Sequence, residues 1–297
     1  MANLRAIRTR IKSVENTRQI TKSMKMVAAA KLRKTQAAFA DLRAFADRSA
    51  ELLAQMSGDS AAKGNPWMTP REEIRTVCYV LIVGNRGLCG TYNQALLRYC
   101  EDFIKQSGRE NYVISCGRWG KDLIASAGLE VRETFEIGDT TTPQEALKLA
   151  ERLKALYRDG TADEVVLVYQ HYRTVLSQEP THAVLLPIPS KNDGSKSNST
   201  LKSSLDTDII YEPDRESLLV TLLDMYIGNT VHAVLLEART GEHSARMTAM
   251  TAAADNTEEL ISELTLELNH ARQAAITTEI SEIAGGAEAL RNNAEKT

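Results

Sequence analysis

Proline, aromatic residues and long apolar runs are all scarce in this sequence, and each shortage excludes something. There are seven prolines in 297 residues, and none follows Pro213, so no helix-stopping residue of that kind stands between there and the end. Aromatic residues make up 5%, lean for a globular core and ordinary for long coiled helices. The four cysteines, at 78, 89, 100 and 116, form no C-x-x-C pair; buried free thiols in a reducing compartment are expected rather than a disulfide framework or a zinc site. The longest clean apolar run, Val77 to Val83, is far short of the ~20 residues that cross a bilayer, so no direct membrane span is expected. The chain starts basic without a following apolar core region, unlike a signal peptide. A transit peptide would share that basic, acid-poor character, but here the same repeat continues unbroken for about fifty residues and is read as structure. The histidines at 171, 182, 232, 243 and 270 lack metal-ligand spacing with one another or with cysteine. Neither a G-x-S-x-G elbow nor a G-x-x-x-x-G-K-[ST] loop occurs. No active site, metal or cofactor is expected.

What is present is a heptad pattern at both ends. Met247, Met250, Ala254, Thr257, Ile261, Leu264, Leu268, Ala271 and Ala275 step alternately by three and four, the seam of a coiled coil. A helix over 214–290 would run roughly 115 Å at the helical rise per residue, whereas a compact globule of this size is about 50 Å across. Such a helix is read as a shaft. Gly228 and Gly241 weaken it locally, each by about 1 kcal/mol relative to alanine. At the other end Leu4, Ile7, Ile11, Val14, Leu32, Phe39, Leu42, Ala46, Leu53 and Met56 repeat the pattern. Arg18, Thr21, Lys25, Ala28 and Thr35 fill the seam between them. Polar seam residues in the middle either fix one register or face something other than the partner helix; the spacing leaves both open. Residues 1–50 hold twelve basic and three acidic side chains, and residues 251–297 nine acidic and three basic. Opposite charge favours pairing of the two ends, antiparallel to each other.

The middle differs. Thr76–Val83, Tyr112–Cys116, Val165–Tyr169 and His182–Ile188 read as strands, with Glu130–Ile137 extended. Helices are expected from the turn after Val83 to about Gln106, over Asp122–Ala127 and over Pro143–Tyr157. Alternating strands and helices mean a parallel-rich, Rossmann-like α/β domain in three layers. Gly84, Gly87 and Gly90 are spaced for a tight strand-to-helix turn rather than a phosphate cradle. The expected layout is an N-terminal coiled-coil helix over 1–58, an α/β domain over 72–210 and a C-terminal coiled-coil helix over 212–297. The helix stop at Ser57-Gly58, a linker over 63–66, a mobile loop over 190–204, a short extended Ile209-Ile210-Tyr211 and helix initiation at Pro213 complete it. The C-terminal seam fails after Ala275, where Thr278, Glu282 and Gly285 follow. A second apolar set takes over: Ile276, Ile280, Ile283, Ala287 and Leu290. The C-terminal helix is therefore expected to outrun its partner and end in a bare tip.

The basic first helix suits an anionic partner. Aromatic stacking residues are absent from its first 38 positions, which argues against nucleic acid and for a protein with acidic loops. Three stretches then carry a resemblance. Ile7–Lys31, containing Thr21-Lys22-Ser23-Met24-Lys25-Met26-Val27-Ala28-Ala29-Ala30-Lys31, is similar to the amino terminus of the gamma subunits of F-type ATP synthases. Arg86-Gly87-Leu88-Cys89-Gly90 resembles that family's turn after its first strand, and Ile276-Thr277-Thr278-Glu279-Ile280-Ser281-Glu282-Ile283-Ala284-Gly285-Gly286-Ala287-Glu288-Ala289 resembles its C-terminal signature. The match departs at Gly241, where serine is usual, and at Thr91-Tyr92, where Gly-Leu is common.

The resemblance implies a bacterial-type central-stalk rotor that mechanically couples proton flow to ATP synthesis or hydrolysis on the beta subunits. Its chemistry lies in those subunits, not in this chain. The implied partners are the alpha and beta subunits of a hexamer, the epsilon subunit and the ring of c subunits, with no nucleic acid. The implied place is peripheral, on the cytoplasmic face of the bacterial cell membrane. Met24, Arg246, Gln273, Thr277, Glu279 and Glu282 match positions that meet the hexamer. The 190–204 segment has no cysteine, so thiol regulation of the plant kind is not expected. An independent coiled-coil scaffold with an α/β head is the alternative.

Overall fold

A computed structural model describes residues 2–56, 65–189 and 214–294; the side chains of residues 2, 3, 47, 54, 55, 215, 216 and 288–294 are outside the description. The helix stop at 57–58, most of the 63–66 linker, the 190–204 loop, the extended 209–211 stretch and Pro213 all lie outside the described residues. Two long helices, α1 (Ala2–Met56) and α5 (Arg215–Ala294), each contribute to two compact units. One unit holds Met1–Val27 with Met247–Thr297, the other Ala28–Arg246.

In the first unit the heptad positions account for the burial. Ile7 and Thr21 on α1, and Met250, Ala254 and Leu264 on α5, are buried, and the intervening seam residues through Ala275 are half-buried. Arg18 and Lys22 both lie 3.8 Å from the Glu258 carboxylate. These exposed pairs stabilise by little, but they report an antiparallel register. Carried along the helices one residue at a time, that register puts Leu4 opposite about residues 272–276. Exposure begins there: every described side chain from Ile276 to Ala287 is exposed. The polar seam residue Thr21 faces inward and satisfies its hydroxyl on the Arg18 carbonyl at 2.9 Å, so it costs the interface no unpaired donor.

The second unit is a five-stranded sheet in the order β3-β2-β1-β4-β5. Its elements are β1 (Thr76–Ile82), α2 (Tyr92–Ser107), β2 (Glu110–Cys116), α3 (Gly120–Ser126), β3 (Val131–Phe135), α4 (Pro143–Arg158), β4 (Glu164–Tyr172) and β5 (Gln178–Leu186). The first four strands are parallel and β5 runs antiparallel to β4. Alternation along β1 assigns the layers. Cys78, Val80 and Ile82 join a core with α4, the Leu219–Ala238 stretch of α5, and Leu53 and Met56 of α1. Val77, Tyr79, Leu81 and Val83 join a second core with α2 and α3. A parallel strand buried on both faces must be apolar at nearly every position, which is why β1 reads as an unbroken run.

Local signals set the helix starts. Thr142 caps α4 in a reciprocal box with Glu145, and the Asp214 carboxylate accepts from the Ser217 amide at 2.8 Å at the start of α5, each satisfying donors that a first turn leaves free. Among the described residues α5 is the one helix long and apolar enough to cross a membrane by length and composition: within Ser217–Ala287 an 18-residue window reaches a mean hydropathy of 1.5. A search for unbroken apolar runs does not see this. The structure accounts for part of it: Leu219, Leu223, Ile227, Val231 and Leu235 step by four and are buried against the sheet.

Candidate functional site

Two surfaces are built from residues that a folded chain ordinarily hides. The first is the end of α5. Ile276, Ile280 and Ile283 are 48%, 61% and 74% exposed. At about 100° per residue they share one stripe, turned roughly a third of a turn from the seam that ends at Ala275. Gln273 and Thr277 border the stripe on one side, Glu279 and Glu282 on the other, and all four are exposed. The Thr277 hydroxyl donates to the Gln273 carbonyl at 3.0 Å. Met24 on α1 is half-buried. Nearby on the same helix Ile20, Met26 and Val27 are exposed, and Ile20 and Val27 share a face that sequence spacing missed. Its signal was present in two apolar residues off the seam, seven positions apart on a basic helix.

The second surface is internal. A doubly wound sheet usually offers its ligand crevice at the carboxyl ends of the strands where the order reverses, here beside β1 and β4. α5 fills that place with its own side chains. Arg239 donates to the Glu242 carboxylate at 2.7 Å, to Asn85 Oδ1 at 3.0 Å and to the Val83 and Ile137 carbonyls at 3.3 and 3.2 Å. Arg246 donates to the other Glu242 oxygen at 2.6 Å and to the Arg86 and Gly87 carbonyls at 2.9 and 3.2 Å. Tyr92 closes the same region by donating to the Ala238 carbonyl at 2.7 Å. Gly84 has no side chain because a Cβ there would lie 3.0 Å from the Glu242 carboxyl carbon. A carboxylate in that position repels phosphate, so the turn after β1 is a structural turn. Gly241 likewise stands where a Cβ would meet the Tyr92 ring at 3.3 Å.

Each carboxylate in this cluster is paired with cations rather than free to react. Burial pushes the Glu242 carboxyl up, but Arg239 and Arg246 outweigh it and hold it below the usual range. Asn85 donates on to Asp139 at 3.5 Å and to the Ile137 carbonyl at 2.5 Å. Asp139 in turn takes Lys31 of α1 at 2.7 Å and Arg86 at 3.2 Å, which hold its carboxyl at about 2. All four cysteines are free and buried, and burial pushes the Cys100 and Cys116 thiols up to about 12. No group of three or more metal-ligating residues occurs among the described residues.

His243 packs into the cluster with its Nδ1 3.4 Å from Arg246. Burial lowers it from 6.5 to about 4, with Arg246, Lys31 and Arg239 adding to the effect against Glu242. The folded state therefore holds His243 neutral where the unfolded chain protonates it. Stability from this residue is complete above about pH 6.5 and is lost as the pH falls toward 4. His243→Gln is expected to flatten the melting temperature against pH across that window. An unchanged slope in a thermal-shift series would refute the assignment.

Of the residues singled out from sequence, Gln273, Thr277, Glu279 and Glu282 fall together around the exposed stripe, and Met24 lies on α1 in the same unit. Arg246 does not join them: it belongs to the other unit, is buried and is committed to Glu242. Sequence reasoning missed Arg239, Glu242 and Asn85 entirely.

The family pattern described as ATP synthase matches residues 3–290. The chain is 42% identical over 291 residues to an ATP synthase gamma chain of Desulfitobacterium hafniense, covering 98% of this chain and 100% of that one. It is 41% identical over 294 residues to that of Heliobacterium modesticaldum, covering 98% and 100%. Among solved structures it resembles a chain of the Euglena gracilis mitochondrial ATP synthase OSCP/F1/c-ring assembly in rotational state 3. That likeness has a TM-score of 0.67 and 20% identity, covering 97% of this chain and 95% of the other. A chain of the Tetrahymena thermophila mitochondrial ATP synthase central stalk and c-ring matches at TM-score 0.60 and 21% identity, covering 79% and 99%. With a family match over residues 3–290 and gamma chains about 40% identical along nearly the whole length, the chain belongs to the ATP synthase gamma chain family.

Proposed function

We propose that this chain is the central-stalk rotor of an F-type ATP synthase and holds no active site of its own. In this reading the coiled unit turns inside a hexamer of alpha and beta subunits, and the α/β unit rests on the ring of c subunits together with epsilon. The complex sits peripherally on the cytoplasmic face of the bacterial cell membrane. Proton flow rotates the ring, the chain carries the rotation, and its asymmetric surface forces the three beta sites into different conformations in turn. A two-state bias at a distance requires differential contact with each state. Met24 and the ring of Gln273, Thr277, Glu279 and Glu282 supply those contacts around the exposed isoleucines.

One observation carries the reading. An apolar stripe with three isoleucines about half exposed or more stands at the end of a helix whose partner has run out. A protein that worked alone would have no use for it in water, whereas an apolar sleeve would bury it. The crevice of the sheet, where an α/β enzyme would hold a ligand, is filled by Arg239, Glu242 and Arg246, which supports a non-catalytic role. The test is reconstitution of the full chain with alpha and beta subunits. One copy per hexamer is expected, with the residue 280 region cross-linking to alpha or beta. A chain that stays apart from the hexamer in size-exclusion chromatography would overturn the proposal.

A further inference from the structure

We propose that Glu242 is the positioning residue that sets the rotational angle of α5 against the α/β sheet, so that turning force on the sheet passes to the helix without slip. This rests on the rotor reading above and adds the place where force enters the shaft.

The argument begins with what apolar packing cannot do. The contacts from Leu219 to Ala238 hold α5 on the sheet, but burial of apolar surface is non-directional. It resists separation far better than it resists a helix rolling about its axis. Hydrogen bonds are directional and lose strength steeply with misalignment. Glu237 accepts from the Tyr172 amide at 3.0 Å and Ser244 donates to the Val175 carbonyl at 2.6 Å, each tying α5 to the end of β4 at one point. The roughly two turns around Glu242 tie it to the end of β1 and the loop after β3 through several bonds that share one carboxylate.

Its two oxygens are used separately: one accepts from Arg239 at 2.7 Å, the other from Arg246 at 2.6 Å. Positions 239, 242 and 246 share one face of the helix, and each arginine reaches a different piece of backbone. Arg239 holds the end of β1 and the loop after β3 through the Val83 and Ile137 carbonyls. Arg246 holds the glycine turn through Arg86 and Gly87. A roll of the helix in either direction must stretch one set. Asn85 extends the bracing to Asp139, which binds Lys31 of α1, so the second long helix is keyed to the same point. The bare approach of Gly84 to the Glu242 carboxyl leaves no slack between turn and helix. With the carboxylate removed, the arginines lose the acceptor that aligns them, and two buried cations are left to repel each other.

The test uses the complete synthase in membrane vesicles, with ATP hydrolysis and proton pumping measured together. Glu242→Gln keeps the shape and removes the charge and one acceptor. It is expected to keep hydrolysis within about twofold of the parent and to lower protons pumped per ATP by about threefold or more. Glu242→Asp, which retains the charge, is expected to recover part of the ratio, and it is read by the same criterion if the glutamine variant does not assemble. Leu223→Ala removes an apolar contact on the same helix and serves as the comparison for lost stability alone. At a matched fall in melting temperature it is expected to leave the ratio unchanged. An unchanged ratio in the Glu242 variants, or an equal fall in Leu223→Ala, overturns the proposal. A parent complex that hydrolyses ATP without pumping would instead overturn the rotor reading beneath it.

Discussion

Arg239→Ala is expected to destabilise the unit of residues 28–246 by about 3–5 kcal/mol, the cost of removing one member of a buried ion pair. Arg239 is only 2% exposed, and its guanidinium serves Glu242, Asn85 and two carbonyls. Alanine leaves those acceptors dry and opens a cavity the size of the lost side chain. For a unit of this size each kcal/mol moves the melting temperature by about 2–4 °C, so a fall of roughly 6–20 °C is expected. Arg239→Met, which refills the volume without the donors, is expected to lose less. Calorimetry of the isolated full chain checks this. A fall under about 2 °C for alanine would mean the cluster is solvated and outside the fold's core, which a 25 °C energy scale for exposed pairs would explain better.

The second large effect falls at the other end and leaves stability alone. Ile280 and Ile283 are 61% and 74% exposed in the free chain. Replacing both with aspartate is expected to change the chain's own unfolding by no more than about 0.5 kcal/mol. In the proposed sleeve the outcome differs. Burying each isoleucine is worth about 1.5–3 kcal/mol, and each new carboxylate adds a desolvation cost. Affinity of the chain for the alpha and beta hexamer is therefore expected to fall by at least two powers of ten. Undiminished binding by the double variant would show that the stripe faces water in the assembly as it does alone.

Much of this architecture is legible in the sequence because its periods are strict. The seam from Met247 to Ala275 marks the less exposed face residue by residue, and its failure after Ala275 marks where exposure starts. β1 is legible because a doubly buried strand is apolar at every step. β4 and β5 are less so. The expected strands began at Val165 and His182, whereas the hairpin pairs Gln170 with Pro180 and Tyr172 with Gln178. Backbone pairing continues there after hydrophobic alternation has stopped, and a proline is tolerated because β5 is an edge.

The cluster around Glu242 was hidden for a different reason. Arginine and glutamate at helical spacing look like a solvated face. What buries them is a turn some 154 to 160 positions earlier in the chain, and no local period encodes that contact. Arg246 was named from family resemblance as a residue that meets the hexamer; its bonds lie within its own unit, and it acts there on the glycine turn. The glycines were visible, but their purpose was not. Gly84 and Gly241 mark close approach by Glu242 and Tyr92, which spacing alone reads as turn or helix weakness.

As the proposed rotor, this chain turns as a body when the hexamer is held still. The direct measurement fixes the alpha and beta hexamer to a surface and attaches an optical probe to the α/β unit at the exposed Lys121 position. Stepwise turning of the probe in one direction while ATP is consumed is the expected result. A probe that stays still while the same complexes hydrolyse ATP would contradict it.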